Sequence, residues 1–437
     1  MKNFKNSGIE WLGEIPEHWE MKPLRAIFNQ RNEQNKVLEL QTILSLVKDV
    51  GVIPYEEKGN IGNKSKDDLQ GYKIARINDL VLNKMNAVIG SLGVSKYNGL
   101  VSPIYLVLYI NDFNKIINYY SYIFQTKTVQ KFLRKFAYGI MEIRESIEFI
   151  DFKKMLLPLP PLKEQEQIAN FLDEKCEKIQ NFIEKKEKLL SLLQEQKQAL
   201  INETITKGLD KNVKLKNSGI EWLGEIPEHW EVRKLKMLFS FGNGLNITKA
   251  DFISFGIPCI SYGEIHSKYP CHLDLSVHKL PFVSETYLND KPQSLLSKGD
   301  FVFADTSEDI EGSGNFTCIQ SNIPLFAGYH TIILRSKTQI YSLYFSFLFD
   351  SIFVRNQIRE KVWGVKVFSI TKSILKEVQC FIPPLKEQEQ IANFLDEKCE
   401  KIDSLITKIK KQIELIKEYK TTLINEAICG RMNLNKG

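Results

Sequence analysis

Side chains able to do chemistry are sparse in this 437-residue sequence and sit mostly in turns. Asp305, Glu308, Asp309 and Glu311 form the densest acidic group, of the kind that paired-carboxylate catalysis or a divalent cation needs. No histidine, lysine or nucleophile stands at a spacing that completes such a site, so an acidic turn is the better reading. The GNG at Gly242–Gly244 lacks the third glycine of a dinucleotide loop. The sequence also has no P-loop, no HExxH and no Asn-Pro-Pro-aromatic motif of adenine methylation. His18 and His229 occupy one repeated position and read as braces of a turn. No catalytic or metal-binding residue emerges, and an enzyme is not expected.

A different chemistry fits the polar turns. Asn, Gln, Arg and Lys make bidentate contacts with base edges, while Ser, Thr and backbone amides grip phosphates. Such residues fill the turns 63–66, 83–86, 243–249, 305–314 and 364–366. By type and turn position, the candidates for nucleic-acid contact in the first half are Lys64, Lys66, Lys84, Asn86, Lys96 and Arg144. In the second half they are Asn243, Asn246, Lys249, Tyr262, Thr306, Ser307 and Lys366. Each alone also suits a solvated loop.

The elements that would position these turns come in two copies. KNSGIEWLGEIPEHWE occurs at 5–20 and again at 216–231. PPLKEQEQIANFLDEKCEKI occurs at 160–179 and again at 383–402. LINETI at 200–205 is echoed by LINEAI at 423–428. Between these frames lie inserts of 139 and 151 residues, 21–159 and 232–382, which share almost nothing beyond their first residues. Identical frames around unlike inserts suggest one scaffold carrying two specificities, although recombination would leave the same trace. The expected divisions are a recognition domain over 1–159, a long helix over 160–208, a second recognition domain over 209–382 and a second long helix over 383–437.

Each frame following an insert reads as one helix. Paired prolines precede it, acidic residues fill its first turn, and apolar residues recur in steps of three and four to a terminal glycine. At roughly 45 residues each helix is about 65 Å long, with a seam of the kind that packs as a coiled coil. Phe171, Phe182, Phe394 and Leu405 widen the stripe beyond one seam, so they are the candidates to receive a partner protein. The inserts mix strands and helices. Helices are expected from about Asn118 to Phe136 and from about Tyr341 to Val362, with a return to strand at 365–370. The fold class is therefore α+β, with two α/β domains separated by two long helices. Trp11, Trp19, Trp222 and Trp230 read as anchors in the frames.

Charge separates the two kinds of element. The net charge of +6 is the sum of +7 and +3 on the inserts and −4 on the frames and helices together. A basic surplus confined to the inserts is what contact with a polyanion requires. The seven cysteines are scattered, which fits reduced thiols. No run is long enough for a membrane span, and the first residues lack a signal-peptide core, so a cytoplasmic location is expected.

With its EWLGEIPEHWE frame, PLPPLKEQEQIA helix entry and LINETITKGL exit, the chain resembles the specificity subunit of type I restriction–modification systems. Within the inserts, SLVKDVGVIP and GLVSPIY resemble one class of recognition domain, and GIPCISYGEI with GDFVFA another. The resemblance implies antiparallel helices with pseudo-two-fold symmetry, each domain reading one half of a bipartite, asymmetric duplex target. It implies that helix length sets the unread spacer and that the helices dock two methyltransferase subunits. S-adenosylmethionine and ATP would belong to methyltransferase and restriction partners, leaving this chain without a cofactor. It transfers no base-contacting residue. The alternative is a coiled-coil scaffold that does not touch DNA.

Overall fold

Proline pairs start both long helices. Leu162–Lys207 and Leu385–Ile428, of 46 and 44 residues, follow Pro160–Pro161 and Pro383–Pro384. Neither contains a proline or glycine, so nothing interrupts the backbone ladder. Each ends at a glycine in the left-handed region, Gly208 and Gly430. The computed structural model describes all residues except 1–2, 37–39, 49, 60–68, 113–114, 139–145, 221–223, 268–270, 277, 365 and 435–437. It divides into two units, Met1–Glu187 with Lys410–Gly437, and Lys188–Ile409.

In each unit, part of one long helix runs antiparallel to part of the other. In unit 1 Glu187 pairs with Lys417, and Asp173 and Cys176 share a cavity wall with Thr421 and Ile424, so one numbering rises as the other falls. In unit 2 Lys197 reaches both carboxylate oxygens of Asp403, at 2.7 and 2.8 Å, and Gly208 lies beside Glu387. The buried positions follow the periodicity: Ile168, Leu172, Ile179 and Ile183 on the first helix, and Ile406, Ile409, Ile413 and Ile424 on the second.

The frames make the same local structure twice. Phe4–Asn6 pairs with Glu14–Pro16, and Leu215–Asn217 with Glu225–Pro227. A four-residue antiparallel neck then closes each insert: Glu20–Pro23 against Leu156–Leu159, and Glu231–Lys234 against Gln379–Ile382. Trp19 and Trp230 are fully buried beside the terminal glycines of the long helices, as anchors should be. Trp11 meets Phe132 at a tilt of 57°, with ring centres 6.4 Å apart, and Trp222 lies outside the described residues.

Buried glutamines lock insert to helix. Gln165, in the first turn of its helix, donates to the Pro160 carbonyl at 2.8 Å and accepts the Ile116 N–H at 3.0 Å. Gln388 does the same with Pro383 at 2.9 Å and Tyr341 at 3.0 Å. Ile116 and Tyr341 each stand immediately before an insert helix, so one amide satisfies an orphan donor there and the carbonyl that follows the neck. Replacing Gln388 by Ala leaves both groups unpaired in a dry place. The expected cost is about 2 kcal/mol, readable as a shift in the urea midpoint with unchanged slope.

The expected insert helices are each broken once. Ile117–Gln125 and Lys127–Leu133 meet at Thr126, and Ser342–Asp350 and Ile352–Arg359 meet at Ser351. Both linking residues have extended backbone, and both hydroxyls donate to the carbonyl three residues back. Short hydroxyl side chains compete for backbone groups in this way and turn the chain.

Beneath these helices lie the sheets. Unit 1 has a four-stranded sheet in the order Asn29–Gln30, Tyr105–Tyr109, Leu80–Asn83, Leu92–Val94. Unit 2 has a five-stranded sheet in the order Phe239–Asn243, Thr331–Ser336, Phe301–Ala304, Phe316–Ile319, Cys271–Leu273. One strand of each starts just after a buried aspartate. Asp79 takes a two-pronged contact from Arg31, at 2.7 and 3.1 Å, and the Arg76 N–H at 2.8 Å. Asp300 takes the Ser297 N–H at 2.9 Å and the Arg335 guanidinium at 3.3 Å. Burial pushes the Asp300 carboxyl above its ordinary range, against the pull of these partners.

Candidate nucleic-acid interface

In unit 2 the strand register gathers most of the nominated residues at one sheet end. Asn243 is opposite Ile332, Ala304 opposite Thr331, and Phe303 opposite Phe316. The turns after Asn243 and Ala304 therefore leave from the same edge as the turn that precedes Thr331. Exposed Asn246 lies in the first of these turns, just after buried Leu245, whose N–H donates to the Ala327 carbonyl, and exposed Lys249 opens the short helical turn capped by Thr248. Tyr262 opens the Tyr262–Ser267 helix, and its ring meets His330 at 5.4 Å and Tyr329 at 5.6 Å.

Thr306 and Ser307 pair with Ser369 and Phe368, which brings the loop carrying exposed Lys366 to the same place. The Thr306 hydroxyl donates to Asp305 at 2.7 Å. Ser307 is only 3% exposed, and its Oγ accepts the Asp309 N–H, so it shapes the turn. Tyr262, His266, Ser307, Glu308, Asp309 and Asn315 line a cavity of about 560 Å³. The acidic turn is structural in this setting, since Asp309 accepts the Gly312 N–H at 2.6 Å.

Two residues at this end escaped the sequence reading. His330 has a left-handed backbone, φ +56°, and its Nδ1 lies 3.1 Å from Asp305. A non-glycine held there marks a position fixed by its surroundings, a frequent property of functional sites. His266 has a settled tautomer: Nε2 donates to the Thr306 carbonyl at 2.7 Å, and Nδ1 accepts from Asn315 at 2.9 Å. No spacing motif marks either residue; their meeting is a product of the fold.

Unit 1 gathers fewer. Lys84 and Asn86 follow the Leu80–Asn83 strand, with Lys84 at 3.9 Å from Glu148 and Asn86 exposed. Lys96 follows the next strand, whose Val94 pairs with Leu80, so it stands at the other end of the sheet. There it lines a cavity of about 720 Å³ with Ser121, Tyr122, Asp173, Cys176 and Lys420, on the long-helix side. The structure thus keeps Lys84 with Asn86 and parts both from Lys96. Lys64, Lys66 and Arg144 lie outside the described residues.

The helix nominations sit on half-open faces. Phe171 and Phe394 are half-buried, while Phe182 and Leu405 are 40% and 48% exposed. The ammonium groups of Lys175, Lys186 and Lys398 lie over the three phenyl rings, at 5.8, 5.3 and 5.7 Å. His18 and His229 each bond a first-turn glutamate of a long helix, Glu164 and Glu387, which makes them braces. All seven cysteines are free, and burial raises their thiol pKa values, that of Cys259 to about 12, so these thiols stay neutral near pH 7. Among the described residues, no group of three or more His, Cys, Asp or Glu is placed to hold a metal, and no helix is long and apolar enough to cross a membrane.

Comparison with known proteins agrees with this architecture. The model of the type I restriction modification DNA specificity domain matches twice, over residues 16–192 and 227–415. A type I restriction enzyme MjaVIII specificity subunit from Methanocaldococcus jannaschii is 27% identical over 375 residues, covering 83% of this chain and 81% of its own. A putative MjaX specificity subunit from the same organism is 26% identical over 459 residues, covering 99% and 97%. Among solved structures, one from work on complex assembly and conformational transition of the type I R-M system aligns with a TM-score of 0.73 at 14% identity, covering 96% of this chain and 99% of that one. The HsdS subunit from Thermoanaerobacter tengcongensis aligns at 0.53, also at 14% identity, covering 96% and 98%. Two copies of the family domain span most of the sequence, and the chain belongs to the type I restriction modification DNA specificity family.

Proposed function

We propose that this chain is the non-catalytic DNA-recognition subunit of a type I restriction–modification complex, each insert reading one half of a bipartite, asymmetric duplex target. The observation that carries the reading is the sheet end of unit 2, where the register groups Asn243, Tyr262, Thr306 and the Lys366 loop. Asn and Lys side chains at that edge have the chemistry of base and phosphate contacts. The basic excess of both inserts supplies the sequence-independent attraction. The neutral long helices are assigned to protein contacts, with Phe171, Phe182, Phe394 and Leu405 facing two methyltransferase subunits. Their length would fix the unread spacer between half-sites. S-adenosylmethionine and ATP are assigned to methyltransferase and restriction partners, and the complex to the cytoplasm.

The test uses the assembled complex with a target sequence mapped from methylated adenines in host DNA. Affinity should fall steeply with salt, with a slope near −0.9 per phosphate contact on a log–log plot. A flat salt response would favour the coiled-coil scaffold. Lys366→Ala and Lys84→Ala separate the two kinds of contact. A base-reading lysine loses about 1–3 kcal/mol on the mapped target alone, whereas a phosphate-binding lysine weakens target and random duplexes alike. No loss on either duplex would remove that residue from the interface.

A further inference from the structure

Four of the five tryptophans, Trp11, Trp19, Trp222 and Trp230, belong to the repeated frames, and the fifth is Trp363 in the second insert. Trp363 is 87% exposed. The residues on either side of it are anchored. Val362 and Ile370, on either side of the loop, are buried in the core of unit 2. Trp363 forms a backbone bridge with Ser369, and Ser369 and Phe368 pair with Thr306 and Ser307. The Ile370 N–H donates to the Asp305 carbonyl at 2.8 Å. Gly364 closes the turn so tightly that a Cβ there would meet the Val367 carbonyl oxygen at 2.0 Å. The loop is therefore a tip with anchored legs that holds an indole in solvent.

The surroundings indicate what the indole meets. Lys361 and Lys366, both exposed, flank it on the same loop, and the tip is continuous with the sheet end that carries Thr306, Tyr262 and His330. Cations interleaved with an exposed aromatic ring match a nucleic acid, whose phosphates take the lysines and whose bases take the ring. Asp305 and Asp309 of the neighbouring acidic turn are engaged internally, by Thr306 and by the Gly312 N–H.

We infer that Trp363 is a specificity-determining wedge: its indole packs against a base step in the half-site read by the second insert, with Lys366 on the adjoining phosphate. Apolar side chains inserted at base steps unstack them at a cost that depends on sequence, so the wedge favours deformable steps without reading a base edge. This rests on the recognition function proposed above. It adds a mode of reading, by deformation, to the base and phosphate contacts.

The experiment compares the wild-type chain, Trp363→Ala and Trp363→Phe, each assembled with the methyltransferase subunits. Binding is measured on a duplex bearing the mapped target and on a scrambled duplex, with 2-aminopurine placed in turn along each half-site. Trp363→Ala should weaken target binding roughly tenfold or more, the scale of one lost base contact, and leave the scrambled duplex unchanged. It should also abolish the 2-aminopurine brightening that the wild type produces in one half-site, while Trp363→Phe keeps both properties. A wild type that does not distinguish target from scrambled duplex would remove the recognition function itself. A wild type that distinguishes them while Trp363→Ala does so equally well would remove the wedge alone. Equal loss on both duplexes, or failure of Trp363→Ala to assemble, would also reject the wedge and assign the ring to general or protein contact.

Discussion

Replacing Gly430 by alanine should destabilise unit 1 by about 3 kcal/mol, from left-handed strain and overpacking together. Gly430 has φ +71°, where an L-residue pays a steric penalty. A Cβ there would also stand 2.6 Å from Trp19 and 2.7 Å from Pro16, both buried against rigid neighbours. The repeat supplies its own control. Gly208 has φ +73°, but its Cβ would meet the Glu387 carboxylate at 3.1 Å and Trp230 at 3.2 Å, distances that a small side-chain shift can relieve. Gly208→Ala should therefore cost only about 1–2 kcal/mol, mainly the backbone penalty. The caps differ in keeping with this. Gly430 and Arg431 donate to Ala427 and Glu426 in the paired pattern of a Schellman motif, whereas Gly208 makes the single bond to Thr204 of the simpler motif. Thermal melts of the two variants side by side measure the difference, and equal shifts would contradict the packing account.

Asp79→Ala should be of similar size, about 3 kcal/mol, because it removes the close acceptor of a half-buried cation and of an amide, leaving Arg31 only its longer contact with Glu33 at 3.7 Å. The Asp79 side chain is 2% exposed and that of Arg31 18%, and the guanidinium is held in its charged form chiefly by the Asp79 hydrogen bond. Arg31 also lies 4.4 Å from the centre of the Tyr109 ring, so removing its partner does not free it to rotate into water. Asp79 stands at the head of the strand that delivers Lys84, and its loss loosens the mount of that lysine. Denaturation of the variant should show unit 1 melting earlier. Arg31→Met combined with Asp79→Leu should recover much of the loss, since an apolar pair leaves no unpaired charge. If the double variant is as unstable as the single one, the site is held by packing rather than by charge.

The parts of the fold visible in the sequence are those with a period. Both long helices declare themselves by apolar spacing and bounding Pro and Gly, and the frames by literal repetition. The breaks at Thr126 and Ser351 were hidden because the apolar pattern runs on across them and only a hydroxyl marks the turn. Gln165 and Gln388 were hidden in a KEQEQ string that reads as solvated surface; tertiary packing makes one glutamine of each copy internal. The candidate interface was legible by residue type but not by place. Thr306, Tyr262 and Lys366 converge through pairings between residues more than sixty apart in sequence, whereas Lys84 and Lys96, only twelve apart, lie at opposite ends of one sheet. His330 and Trp363 carry no motif, and the sequence reading passed over both, although Trp363 is the one tryptophan outside the repeated frames.

The seat of the first frame has a consequence for connectivity. The second frame follows the exit of the first long helix through a short stretch of chain, and Trp230 rests on Gly208 just upstream. The first frame makes the matching contact with the exit of the second helix across a gap in sequence: Trp19 rests on Gly430, and Arg431 donates to the Leu12 carbonyl at 3.0 Å. One junction is a peptide link and the other is a non-covalent joint of the same design. The order of the two halves along the polypeptide then depends on which of the two junctions is the peptide link. A chain joined by a linker from 431 to 3 and opened between 208 and 215 keeps every one of these contacts, and should fold to the same two units.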